Sequence, residues 1–198
     1  MKFILGLKIG MSQVFDEKGN EIPVTLIEAG PCETTQVKTK DQDGYDAIQV
    51  GFQKLKDRKI GKSKRKTPYR YVKEFSNGVE VVNHKIGDIT DVSVFQEGAI
   101  VKIAGVSKGK GFAGAVKKWG FSGRPATHGT KHEERTVGSI GSSFPQRVVK
   151  GKKMPGRTGN VRITTKNLKI IKIDPKNNLL VIKGSVPGRS RTLLEIKG

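Results

Sequence analysis

Cysteine is almost missing from this chain. Cys32 stands alone, so neither an internal disulfide framework nor a multi-cysteine zinc site can form. Such usage suits a reducing compartment, and the cytoplasm is the expected location. Long apolar runs are lacking too. No stretch approaches the ~20 residues of a spanning helix, and the basic segments have no alternating apolar face with which to lie on lipid, so no membrane partner is expected. The apolar start, Phe3-Ile4-Leu5-Gly6-Leu7, is interrupted by Lys8, Gly10 and Gln13 before a signal-peptide core could form, and it reads as a strand.

Acidic residues are scarce in a patterned way. The 198 residues carry 38 Lys+Arg against 18 Asp+Glu, a net charge of +20. Residues 1–53 have a net charge of −3 and residues 71–107 of −2, as in ordinary soluble protein. Residues 54–70 hold +8, residues 108–166 hold +12 and residues 167–198 hold +5. Charge placed in blocks repels itself in isolation and is the electrostatic footprint of a nucleic-acid binder.

Strand-like runs fill the weakly charged parts: 1–9, 22–29, 34–40, 47–52, 79–82, 100–104, 168–174 and 179–183 are short, rich in β-branched residues and punctuated by Gly, Pro, Asn or Asp. This pattern predicts a mainly β fold, closed or sandwiched. The clearest hairpin joins 168–174 to 179–183 through Pro175-Lys176-Asn177-Asn178. It follows the large basic block, which is therefore an insertion anchored at both ends. The expected organisation is a β body of residues 1–107 and 167–198, with an exposed basic loop at 54–70, and a largely irregular arm of residues 108–166. At 34% hydrophobic, the chain fills one modest core but not one that includes the arm. A segment this long, polar and glycine-rich needs a partner to order it. Its one helical candidate runs from Phe112 to Trp119 and is stopped by Gly120.

Two motif matches compete with this reading. Gly109-Lys110-Gly111-Phe112-Ala113-Gly114 satisfies GxGxxG, with Glu133 and Glu134 some twenty residues on. The helix that follows is too short for a βαβ crossover and no parallel strand succeeds it, so the glycines are better read as letting backbone approach a crowded RNA surface. His128 and His132 stand four apart beside Glu133, but the order does not match HExxH and Gly129 is a poor helix residue. No metal, cofactor or catalytic residue is expected. A nucleotide-dependent RNA enzyme and a free RNA chaperone remain the rival readings.

The basic side chains carry the strongest mechanism. Lys108, Lys110, Lys117, Lys118, Arg124, Lys131, Arg135, Arg147, Lys150, Lys152, Lys153, Arg157, Arg162 and Lys166 are spread along the arm and suit phosphates over a long path. Lys62, Lys64, Arg65 and Lys66 repeat the chemistry in the smaller loop. His128 can stack on a base or donate to phosphate. Phe112, Trp119, Phe121 and Phe144 are interleaved with the cations; Trp119 and Phe112 are expected mainly to pack the arm's two legs together, Trp119 also counting among the RNA contacts. Phe144, with Ser143 before it, is the best candidate for direct RNA contact.

These residues also resemble a known family. Gly-Leu-Lys-Ile-Gly-Met-Ser-Gln-Val-Phe at 6–15, Ile-Pro-Val-Thr at 22–25, Asp-Gly-Tyr-Asp-Ala-Ile-Gln-Val at 43–50, the stretch 107–120, Gly-Ser-Ile-Gly at 138–141, Lys-Gly-Lys-Lys-Met-Pro-Gly at 150–156 and the stretch 178–188 occur in the order seen in bacterial large-subunit ribosomal protein three. The resemblance covers nearly the whole chain. It implies a translation-protein-type β-barrel, binding to large-subunit (23S-type) ribosomal RNA, a part in early subunit assembly, and an arm tip at Gly141-Ser142-Ser143-Phe144-Pro145 directed to the peptidyl transferase region, where RNA is the catalyst. It implies large-subunit proteins fourteen and nineteen as neighbours and no homo-oligomer. Some bacterial relatives carry a methylated glutamine two residues before the tip proline; Ser143 stands there in this chain, so no modification is expected. The loop at 54–70 is shorter than in many relatives, and Glu133 and Glu134 stand where the arm is often purely basic.

Overall fold

The computed structural model describes residues 2–65, 67–76 and 84–198. In chain order its strands are β1 (Phe3–Phe15), β2 (Glu21–Ala29), β3 (Cys32–Lys38), β4 (Ala47–Lys54), β5 (Tyr69–Ser76), β6 (Ile89–Thr90), β7 (Ile100–Val106), β8 (Phe112–Ala113), β9 (Gly156–Arg157), β10 (Arg162–Asp174), β11 (Leu179–Lys183) and β12 (Leu193–Lys197). Two short α-helices, α1 (Lys40–Asp43) and α2 (Ala115–Trp119), and 3-10 turns at Asp57–Lys59, Lys62–Lys64 and Val92–Val94 complete the regular structure among the described residues. Among the described residues no helix is long and apolar enough to cross a membrane.

Six strands close a barrel in the order β1-β12-β7-β10-β11-β2, each neighbouring pair antiparallel. The expected mainly β barrel is what the chain forms. A second sheet has the order β5-β4-β3-β6. Period-two alternation explains the closing strand: Leu194 and Ile196 are fully buried, and Glu195 and Lys197 between and after them are not. β1 behaves differently, because Phe3 to Lys8 are all buried and the residues beyond are mostly exposed. Its first half is covered on both faces, by the barrel interior and by the second sheet, where Phe75 stacks on Phe3 with ring centres 4.7 Å apart. The buried side chains of both sheets accordingly form one continuous cluster.

The 168–183 hairpin forms with the turn read from the sequence, Asp174 facing Leu179. The Asp174 carboxylate accepts the Asn177 side-chain amide at 2.7 Å and the Lys176 backbone N–H at 3.1 Å. The asparagine bond is the main reason its carboxyl lies below the usual range. β11 has the predicted bounds, whereas β10 begins at Arg162, well before 168, because its first half is polar and pairs with β7 without burying an apolar face. β5 and β12 escaped the sequence reading altogether. The run predicted at 79–82 lies outside the described residues.

Cys32 is 1% exposed and sits against β1, where its Sγ accepts the Leu5 N–H at 3.4 Å. Burial pushes its thiol up to about 12. The thiolate being the nucleophile, folded protein at pH 8 should resist iodoacetamide and react only after denaturant is added. Alkylation of the native chain, read by mass spectrometry, would contradict this.

The chain divides into two compact units, Met1–Val106 with Arg162–Gly198, and Ser107–Val161. Val106 and Arg162, where the first unit is left and re-entered, are register partners on β7 and β10. The insertion thus occupies the loop position of an ordinary antiparallel strand pair.

Candidate nucleic-acid interface

The Ser107–Val161 unit has almost no core of its own. Its buried apolar side chains are Ala113 and Ala115, so backbone pairing and not hydrophobic burial gives it form. At its base Ser107 N–H donates to the Val161 carbonyl, Lys110 N–H to that of Thr158, and Thr158 N–H to that of Gly111, each at 2.9 Å. The outgoing and returning legs then pair as β8 and β9, Phe112 facing Arg157 and Ala113 facing Gly156. Gly159, at φ +75°, belongs to this ladder; a Cβ there would lie 2.1 Å from the Lys108 carbonyl oxygen.

The helix begins at Ala115, three residues later than predicted, because Phe112 and Ala113 are drawn into the ladder with β9. Strand alternation turns Ala113 inward and Phe112 outward. Phe112 is 78% exposed and does not pack the legs, contrary to expectation. Trp119 does: its indole N–H donates to the Met154 carbonyl at 2.8 Å across the two legs. The ammonium groups of Lys118 and Lys153 lie 5.1 and 5.7 Å from its ring centre, within cation–π range.

Most of this segment's cations reach solvent. Lys108, Lys110, Lys117, Lys131, Arg135, Arg147, Lys150, Lys152, Lys153 and Arg157 are exposed, as is His128, and Lys118 is half-buried. With two acidic side chains against them, these present a nearly unopposed positive surface to any polyanion. Phe144 is 84% exposed, and the Ser142 hydroxyl donates to its carbonyl at 2.7 Å, holding the turn that displays it. Ser143 beside it is exposed. An aromatic face offered to solvent among cations matches what unpaired bases stack on.

Arg124 is the exception, since its guanidinium meets the Glu133 carboxylate at 2.8 Å and its N–H donates to the Glu134 carbonyl at 2.9 Å. Both side chains of the ion pair are more than half exposed, and such a pair holds with only about 0–1 kcal/mol. Removing the carboxylate releases the arginine and deletes one repulsive charge. Glu133→Gln should therefore tighten RNA binding by roughly two- to fivefold. Filter binding at two salt concentrations checks this, and weaker binding would mean that Glu133 shapes the unit instead.

The structure places the other sequence-predicted residues on the body. Arg162 opens β10 and pairs with Glu195, which also lies 3.7 Å from Lys73. Lys166 is exposed further along β10, beside a register shift between Thr165 and Leu168. Lys62, Lys64 and Arg65 are exposed in a 3-10 turn of the basic loop; Lys66 lies outside the described residues. Tyr69 and Arg70, read as loop, start β5, and Tyr69 is buried. Among the described residues no group of three or more His, Cys, Asp or Glu side chains is placed to hold a metal ion.

Comparison with known proteins gives one consistent result. A family described as "Ribosomal protein L3" matches residues 74–178. The chain is 48% identical to the "Large ribosomal subunit protein uL3" of Herpetosiphon aurantiacus, over 98% of this chain and 94% of that protein. Proteins of the same description from Carboxydothermus hydrogenoformans and Chloroherpeton thalassium are each 48% identical over 99% of this chain, and over 96% and 98% of their own lengths.

Proposed function

Because the chain belongs to the ribosomal protein L3 family, we propose that it is a structural constituent of the large ribosomal subunit, working in the cytoplasmic ribosome and binding large-subunit ribosomal RNA. Its role is architectural and not enzymatic. Segment 108–166 supplies the RNA-binding arm and, from Arg162 on, the start of strand β10, and its cations from Lys108 to Lys166, with those of the 54–70 loop, neutralise phosphates of the RNA. The observation that carries this reading is a coreless unit that has nothing to bury except Ala113 and Ala115 yet displays a nearly acid-free row of cations. Ordering such a unit costs conformational entropy, and folded RNA compensates with counterion release and stacking.

Finer assignments rest on the family resemblance. The tip, Gly141 to Pro145, approaches the peptidyl transferase region with Phe144 foremost. The body takes part in early assembly and meets large-subunit proteins fourteen and nineteen, for which the exposed apolar side chains Met11 and Phe15 on the β1–β2 hairpin are suited.

A high-salt wash tests the reading. Simple phosphate binding weakens steeply with salt, whereas an arm laced through folded RNA stays. Washed and sedimented large subunits should retain the chain at one copy each. Its loss would favour a free RNA chaperone, and nucleotide binding by the purified protein would favour the enzyme reading. Limited proteolysis of free protein should cleave within 108–166, and that cleavage should vanish in the subunit.

A further inference from the structure

The body carries a groove that the arm does not use. It encloses about 700 Å³ and is lined by Lys8, Gln53, Arg70, Tyr71, Ser190 and Arg191 among others, with Glu28 as its single acid. Two exposed arginines, Arg70 and Arg191, therefore share the groove with one carboxylate.

Its walls are fixed in place. The Lys8 ammonium donates to the carbonyls of Val186 and Gly188 at 3.0 and 3.3 Å, and its backbone bonds Thr192 and Arg191 at 3.1 and 2.7 Å. That residue clamps the turn presenting Ser190 and Arg191. Opposite, the Tyr71 ring packs against Phe52, and the Arg70 guanidinium lies 5.2 Å from its centre. A guanidinium held over an aromatic ring keeps its N–H fork for a phosphate.

Backbone strain singles out the same place. Six non-glycine residues adopt positive φ among the described residues: His128, Asn160, Asn167, Asn178, Gln53 and Arg191. The histidine and asparagines are types that enter this region readily; Gln53, at 57°, and Arg191, at 64°, are not. Both line this groove. Strain of this kind gathers where side chains must be aimed.

We propose that the groove is a second RNA site, on the body, taking the phosphate of an unpaired nucleotide between Arg70 and Arg191 with its base against the Arg70–Tyr71 stack. The proposal rests on the ribosomal reading above. RNA fits better than an acidic protein segment because the site offers a stacking face as well as charge. The basic 54–70 loop also springs from its rim, where Lys54 follows Gln53 and Leu55 N–H closes on the Pro68 carbonyl at 2.8 Å.

The test uses the full chain and a large-subunit rRNA transcript. Arg70→Gln with Arg191→Gln should weaken binding roughly tenfold and lower the log–log salt slope by about 1 to 2. Arg191→Gly should melt no lower than the parent while binding RNA more weakly, since it relieves the left-handed strain and removes the contact. Parental affinity and slope in these variants overturn the groove alone; a wild-type chain that ignores the transcript overturns the ribosomal reading with it. As a check independent of binding strength, an iron chelate tethered through Ser190→Cys, with Cys32 buried, should cleave one short stretch of the bound RNA. Absent cleavage overturns the proposal, as does displacement of RNA from this position by polyglutamate but not by poly(U).

Discussion

Replacing Gly159 by alanine is expected to unzip the base of the Ser107–Val161 unit while leaving the body's stability within about 0.5 kcal/mol of the parent. The new Cβ would meet the Lys108 carbonyl oxygen at 2.1 Å and the Gly109 Cα at 3.1 Å, from a backbone at φ +75°. Left-handed geometry alone costs a non-glycine residue about 1–2 kcal/mol, and forcing atoms into filled space adds about 1–3. Opposing this are the base hydrogen bonds at Ser107, Lys110 and Thr158, each contributing a net of about 1 kcal/mol. Penalty and ladder are of equal size, and no buried apolar surface beyond two alanines tips the balance back. Amide exchange at Lys110 and Thr158 should accelerate, with the denaturant midpoint of the body unmoved. Undiminished protection at those two amides would show that the ladder tolerates a side chain.

Phe75→Ala should have the opposite distribution, lowering global stability by about 3–5 kcal/mol. Phe75 is 1% exposed, its ring stacked on Phe3 at an interplanar angle of 25°. It comes from β5 of the second sheet, whereas Phe3 belongs to the barrel. The loss is a large share of the ~5–15 kcal/mol that holds a typical domain. Urea unfolding should show a lower midpoint at unchanged slope. A cycle with Phe3→Ala should return a coupling of about 0.5–1.5 kcal/mol. Strict additivity would mean that the two sheets do not depend on one another.

The sequence revealed elements whose hydrophobic rhythm was uninterrupted. Leu179 to Lys183 was read with its true bounds because Leu180, Val181 and Ile182 are all buried and turn residues precede them. The basic block announced itself through charge, which needs no fold to be counted. What stayed hidden were strands whose pattern is diluted by polar residues. In β5, Tyr69 and Phe75 are buried, but Arg70, Lys73 and Glu74 stand between them and the strand adjoins a lysine-rich loop. The first half of β10 is a strand only because β7 lies beside it, and no local propensity in Arg162 to Lys166 states that fact. Phe112 was misjudged for a related reason: its outward direction follows from the partner β9, more than forty residues away in sequence. The groove around Arg70 and Arg191 was invisible for the same cause, since it joins β1, β4, β5 and the turn before β12.

The barrel's seam also sets an order in time. β12 lies between β1 and β7, so the first and last strands are neighbours and Gly198 N–H closes on the Lys2 carbonyl at 2.9 Å. During synthesis the inserted segment emerges before β12 exists. The cylinder then lacks one stave, its interior open along Ile4 and Ile103, which the Ile196 side chain, register partner of both, later covers. Completion of the body is thus tied to a strand made after the insertion, and the cationic segment meets solvent and any nearby polyanion before its own anchor has locked.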